Sequence, residues 1–186
     1  MQILTFVSSP EFRAWLANNH SQSDGLWLRI YKKDSAVPTV TYVEALDQAL
    51  CFGWIDGQKK PHDNQSWLQK FTPRRAKSGW SKINAQHAER LIKSGEMAPG
   101  GLKEIKAAKA DGRWKAAYDS FSNANVPDDF LKELAKNKKA TAFFETLNKT
   151  NLYSIAYRLQ TAKKPETRVK RIQAIIEMLG RGEKFH

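Results

Sequence analysis

Residues 53–84 carry most of the chemistry in this chain. Trp54, Trp67, Phe71 and Trp80 interleave there with Lys59, Lys60, Lys70, Arg74, Arg75, Lys77 and Lys82. Aromatic faces beside cations suit stacking on bases or sugars, with the cations holding phosphates. The adjacent Arg74 and Arg75 offer planar forks that grip a phosphate or carboxylate through two parallel hydrogen bonds. Ser78-Gly79-Trp80-Ser81 leads into a helix whose free N–H groups would face the same loop, an anion-friendly end. Asp56, between Ile55 and Gly57, is the candidate carboxylate for a sugar or base donor. The candidate binding set is therefore Trp54, Asp56, Lys59, Trp67, Arg74, Arg75, Lys77, Ser78 and Trp80. A plainer reading stands beside it. Strand Trp residues are core, Arg beside Trp is a cation–π brace, Thr72-Pro73-Arg74-Arg75 is a turn, and Asp56 caps backbone. The binding reading requires these indoles and guanidinium groups to share one accessible patch.

Other chemistry is sparse. No phosphate-binding glycine loop, dinucleotide fingerprint, Gly-x-Ser-x-Gly elbow or His-Glu-x-x-His motif occurs in the sequence. Cys51, the single cysteine, ends an apolar helix stripe and reads as packing. His87 lies on a helix row as a boundary histidine, and His62 shares a turn with Asp63. His20 and His186 have no partner in sequence. One Cys and four scattered His give no zinc-finger spacing. No catalytic residue, metal site or cofactor is assigned.

The field around these groups is positive. Of 31 Lys/Arg and 19 Asp/Glu, residues 57–82 hold seven basic and one acidic, and residues 126–186 hold thirteen and seven. Residues 1–56, by contrast, are net negative, with four basic and six acidic. Such a field attracts nucleic acid, nucleotide-like metabolites or acidic proteins. A solvated lysine face would look the same in the C-terminal third. Hydrophobic residues at 41% of 186 argue against disorder and leave room for a real core. Apolar runs are too short to cross a bilayer, and Met1–Phe6 lacks the pattern of a signal peptide. Together with the lone cysteine this leads to a cytoplasmic expectation.

The elements that must position these groups follow from local signals. Ile3–Phe6 reads as a short strand. Ser9 and Pro10 open a helix with Phe12, Trp15 and Leu16 on one face. Gly25–Lys32 alternates with period two, as a strand does. Thr41 and Glu44 have capping-box spacing before a stripe of Val43, Leu46 and Leu50, and that helix ends at Gly53. Strands are expected over 54–59 and 66–71, joined by a turn at 60–65. Helices are expected over 81–94, with Ile83, Ala88, Leu91 and Ile92 inward, and over 99–110. All six Trp precede residue 115, and 119–125 has linker composition. Beyond it four short helices carry the apolar sets Ala140/Phe143/Phe144/Leu147, Leu152/Ile155/Ala156/Leu159 and Val169/Ile172/Ile176/Leu179, the first helix starting at Pro127-Asp128-Asp129. The fold class is α+β: a small, mainly antiparallel sheet packed by helices in 1–118, then an all-helical module in 126–186.

The runs Ala49–Gly57, Phe71–Arg75, Trp80–Asn84 and Gly95–Met97, with Val126–Asp129, Ala142–Phe144 and Ala162–Ile172, resemble the YdeI/OmpD-associated (bacteriocin-protection) family over about Phe12 to Leu179. The resemblance implies a helical C-terminal module and a part in bacteriocin or envelope-stress protection, with a porin association in the family's name. It brings no catalytic residues. The leading reading is a cytoplasmic protein that binds an anionic partner through the basic aromatic loop. The alternatives are an enzyme for a small phosphorylated or carboxylated substrate, with Asp56 as acid or base, and a scaffold whose C-terminal helices capture a protein.

Overall fold

The computed structural model describes residues 1–121 and 125–186. They divide into two compact units, one of residues 1–80 and 84–115, the other of 81–83 and 116–186. The class is α+β.

The first unit is built on a four-stranded sheet of order β1-β2-β4-β3. Its strands are β1 (Ile3–Leu4), β2 (Leu26–Tyr31), β3 (Trp54–Pro61) and β4 (Ser66–Pro73). β1 runs parallel to β2, and the other pairings are antiparallel. β2 alternates as expected: Leu26, Leu28 and Ile30 are buried, while Trp27, Arg29 and Tyr31 are half-buried. The register places Leu26 opposite Phe71 and Leu28 opposite Gln69, so these four share one face. That face receives the first helices, α1 (Ser9–Asn19) and α2 (Tyr42–Cys51). The rings of Phe12 and Phe71 lie 5.8 Å apart, and those of Trp15 and Trp54 5.9 Å. A register shift between Asp56 and Lys59 marks a bulge in β3.

Local signals place the helix starts. Thr41 and Glu44 make the full capping box of α2. The cap of α1 falls one residue earlier than expected, at Ser8, whose hydroxyl caps nothing; Glu11 accepts the Val7 N–H instead. Gly25 sits at φ +127°, where an added Cβ would lie 2.6 Å from the Phe71 carbonyl oxygen. Gly101, in α4 (Pro99–Ala110), leaves no room for a Cβ beside the Cys51 carbonyl at 2.5 Å, so α4 packs on the end of α2. α3 (Lys82–Lys93) precedes α4 in the chain.

The second unit holds α5 (Asp128–Leu134), α6 (Lys138–Phe144), α7 (Lys149–Gln160) and α8 (Pro165–Gly180). Phe130, Leu134, Ala140, Ile155, Leu159, Ile172, Ile175 and Leu179 form its core. Ser81 bridges to Tyr118, and Asp119 pairs with Lys82 at 2.7 Å. Asp119 also exchanges hydrogen bonds with the Gln160 amide, so the stretch expected as a linker at 119–125 is anchored at its start. Its residues 122–124 lie outside the described residues.

Several inward faces differ from the expected stripes. Val43, Ile83, Ile92 and Val169 are exposed, while Gln48 and Asn84 are buried. Gln48 is drawn inward by a partner distant in sequence, since Arg13 Nη1 donates to its Oε1 at 2.8 Å.

Candidate functional site

The candidate residues do not share one patch. Trp54 and Trp80 are each 1% exposed. The Trp54 indole N–H donates to the His20 carbonyl at 3.1 Å, fixing it in the core beneath α1. Trp80 packs on Trp114 with centroids 4.8 Å apart. Neither indole offers a face to a ligand. Arg74 points inward, its guanidinium carbon 3.5 Å from the Trp80 ring centroid and Nη1 donating to the Gly79 carbonyl. The cation–π brace is the reading that holds for Arg74. A desolvated pair of this kind contributes about 2 kcal/mol.

Asp56, Lys59 and Trp67 lie on the helix-packed face of the sheet. The register puts Asp56 opposite Phe71, Lys59 opposite Gln69 and Trp67 opposite Pro61. Asp56 Oδ2 accepts the Tyr42 hydroxyl at 2.8 Å. Burial, with the Asp56 carboxylate beside it, pushes the Tyr42 phenol well above the ordinary tyrosine value. Lys59 Nζ sits 4.2 Å from the Trp67 centroid. The carboxylate thus serves a phenol rather than backbone amides.

Arg75, Lys77 and Ser78 belong to the loop after β4. Arg75 N–H donates to Ser78 Oγ at 3.1 Å, and Ser78 N–H donates to the Arg75 carbonyl at 2.8 Å, closing a tight turn. Arg75 and Lys77 are exposed. Arg113, only 6% exposed, holds this turn: Nη1 donates to the Ser78 carbonyl at 2.9 Å, and Nε binds Asp111. Nothing in the spacing of Arg113 marks it, because its contact spans 35 residues. Arg74 and Arg75, adjacent in sequence, therefore point to different surroundings, one to the Trp80 ring and one to solvent.

A cleft of about 300 Å³ joins this turn to the outer face of the sheet. Ile55, Gly57, Gln58, Lys70, Thr72, Pro73, Arg75 and Ser78 line it. Two cations enter and no carboxylate does. Trp27 pairs with Lys70 across β2 and β4, on the same outer face. Its ring is approached by Lys60 Nζ at 4.3 Å and Lys70 Nζ at 5.9 Å. Lys60 and Lys70 belong to the aromatic-basic run, but Trp27 lies in a strand far upstream. Only the pairing of β2 with β4 brings it to them.

At the start of α3, one N–H expected to be free is already used. The Lys82 N–H donates to the Tyr118 carbonyl. Elsewhere, individual polar residues have identifiable partners. His87 Nδ1 lies 2.6 Å from Asp47, a boundary histidine as read. Burial pushes the Cys51 thiol up, as suits a packing residue. His62 is 4.0 Å from Asp63, whose carboxyl is held below its ordinary value chiefly by the Ser66 hydroxyl. Among the described residues there is no group of three or more His, Cys, Asp or Glu able to hold a metal ion, and no helix long and apolar enough to cross a membrane.

Two family models match the chain. Residues 4–104, more than half of it, match a domain of unknown function (DUF8412), and residues 123–182 match the family described as bacteriocin-protection, YdeI or OmpD-associated. The chain belongs to DUF8412 and carries a C-terminal module of the YdeI or OmpD-associated family. The motifs at 126–129, 142–144 and 162–172 fall within the YdeI or OmpD-associated match, whereas those at 49–97 fall within DUF8412. The cleft and Trp27 lie in DUF8412, and α5 to α8 form the other module. No curated protein and no solved structure matches the chain.

Proposed function

We propose that this is a cytoplasmic binding protein of the YdeI or OmpD-associated kind, acting in bacteriocin or envelope-stress protection, that holds a phosphate-bearing partner on its first unit. The observation that carries the reading is the cleft. Lys70, Arg75 and the Ser78 hydroxyl line a concavity that no acidic side chain enters, at the edge of a sheet face bearing Trp27 and Lys60. Cations beside a half-buried indole suit a single-stranded nucleic acid, with phosphates in the cleft and a base against Trp27. Of the nine binding residues expected from the sequence, this cleft is lined only by Arg75 and Ser78; Trp54, Asp56, Lys59, Trp67, Arg74, Lys77 and Trp80 are not among its lining residues.

Fluorescence anisotropy with a fluorescein-labelled single-stranded oligonucleotide tests it. Log affinity should fall linearly with log salt. Replacing Lys70 and Arg75 together by Ala should weaken binding by roughly tenfold or more and lower the salt slope by about two. The variant pair Lys163→Ala/Lys164→Ala should change binding far less. Flat salt dependence, or a Lys70/Arg75 variant that binds like the parent, would sink the reading.

A further inference from the structure

A second cleft, of about 490 Å³, lies wholly within the C-terminal module, between the end of α7, one face of α8 and the tail at 181–185. That volume falls in the range of small-molecule sites. Its walls are of two kinds. Ile175 and Met178 of α8 and Phe185 of the tail supply apolar surface, and Arg158, Arg171 and Arg181 supply charge against a single acid, Glu183.

The three arginines are differently committed. Arg181 is neutralised by Glu183, its Nη2 2.9 Å from Oε2. Arg158 stacks over the Phe185 ring with its guanidinium carbon 4.2 Å from the centroid, and makes no ion pair with a described residue. Arg171 is fixed by one nitrogen. Its Nη1 donates to the Arg158 carbonyl at the end of α7 and lies 3.3 Å from Thr161 Oγ1. The Nε and Nη2 hydrogens on its other edge meet no described acceptor. That edge is the planar two-donor fork that matches a carboxylate. The Arg158 carbonyl and the Thr161 hydroxyl orient it in advance, so little is lost in ordering it on binding. The tail that carries Phe185 is tied down in turn: Asn151 Oδ1 accepts the His186 N–H at 3.1 Å, and Asn151 Nδ2 donates to the His186 carbonyl.

We infer that this cleft is a binding site for a small organic carboxylate with a compact apolar body. The carboxylate sits on the free edge of Arg171, with Arg158 adding charge, and the body lies against Ile175, Met178 and Phe185. This site is independent of the one on the first unit and can succeed or fail without it.

The test titrates the full-length, isotopically labelled protein with 2-naphthoate by heteronuclear NMR. Saturable shifts are expected at the amides of residues 158–161, 171–178 and 185. The neutral amide, 2-naphthamide, and 2-naphthyl phosphate are run alongside. Binding should weaken by about tenfold or more for 2-naphthamide and for Arg171→Lys, which keeps the charge and removes the fork. Arg158→Gln should weaken it severalfold, and Lys132→Ala, at an exposed position outside the cleft, should leave it nearly unchanged. Unchanged spectra outside the cleft show that each variant is folded. The inference is overturned by naphthamide binding as tightly as naphthoate, by tighter binding of the phosphate, by Arg171→Lys binding like the parent, or by no saturable shift at millimolar naphthoate.

Discussion

Arg74 and Arg75 show how neighbouring residues of one type take different tasks. A strand end turns consecutive side chains to opposite sides, and here one guanidinium lies over the Trp80 ring while the next enters the cleft with Ser78. Their substitutions should therefore separate. Arg74→Ala removes the cation from a buried indole and leaves a void in the wall of the core, and should cost about 2 kcal/mol or more in urea denaturation. Arg75→Ala, at an exposed position, should stay within about 0.5 kcal/mol of the parent while weakening oligonucleotide binding. Equal stability losses, or a binding defect only for Arg74→Ala, would reverse the assignment. The residue types of this segment were readable as a basic aromatic run. Which of them face solvent was not, because that depends on register: Trp67 and Trp27 fall on opposite faces of one sheet.

At the scale of elements, what was legible was what is local. Pro10, Pro99 and Pro165 mark helix starts, the Thr41–Glu44 box caps α2, and glycines mark ends, all through interactions within a few residues. Inward faces were harder, because a helix buries whichever side meets a neighbour. Val169 is exposed and Ile175 is core, although both fit an apolar stripe of α8. One contact between elements gives a clear pH test. Arg168 on α8 grips Asp129 at the start of α5 through two bonds of 2.7 Å. Those hydrogen bonds, led by the guanidinium donors, hold the Asp129 carboxyl below its ordinary value. A depressed carboxyl contributes stability above its unfolded value and loses it as pH falls through its folded value. Both side chains are partly exposed, so the contribution is discounted to about 1 kcal/mol or less. Asp129→Asn should therefore destabilise the C-terminal module at neutral pH by roughly that amount, and the gap should close as pH falls below the ordinary carboxylate range. A gap that persists undiminished in acid would show that the pairing charge is not its source.

The described residues hold two cores, and the tryptophans report on only one of them. All six lie at or before Trp114, in the first unit, whereas Phe130, Leu134, Ile155, Leu159 and Leu179 build a core of their own. We propose that the two unfold as separate cooperative blocks, because each buries its own apolar residues and cooperativity follows shared burial. Tryptophan fluorescence then follows the first unit alone, and far-UV circular dichroism follows both. The two urea transitions should differ in midpoint. Leu159→Ala, at a position with no exposed surface, should remove about 2–5 kcal/mol from the second block. Its effect should appear in the dichroism and leave the fluorescence midpoint in place. If the fluorescence midpoint moves equally, the two cores share one transition. The protein would then be a single folding unit in which a ligand on either cleft stabilises the whole. If only dichroism moves, a ligand such as 2-naphthoate should protect the C-terminal block by itself, and an oligonucleotide the tryptophan-bearing one.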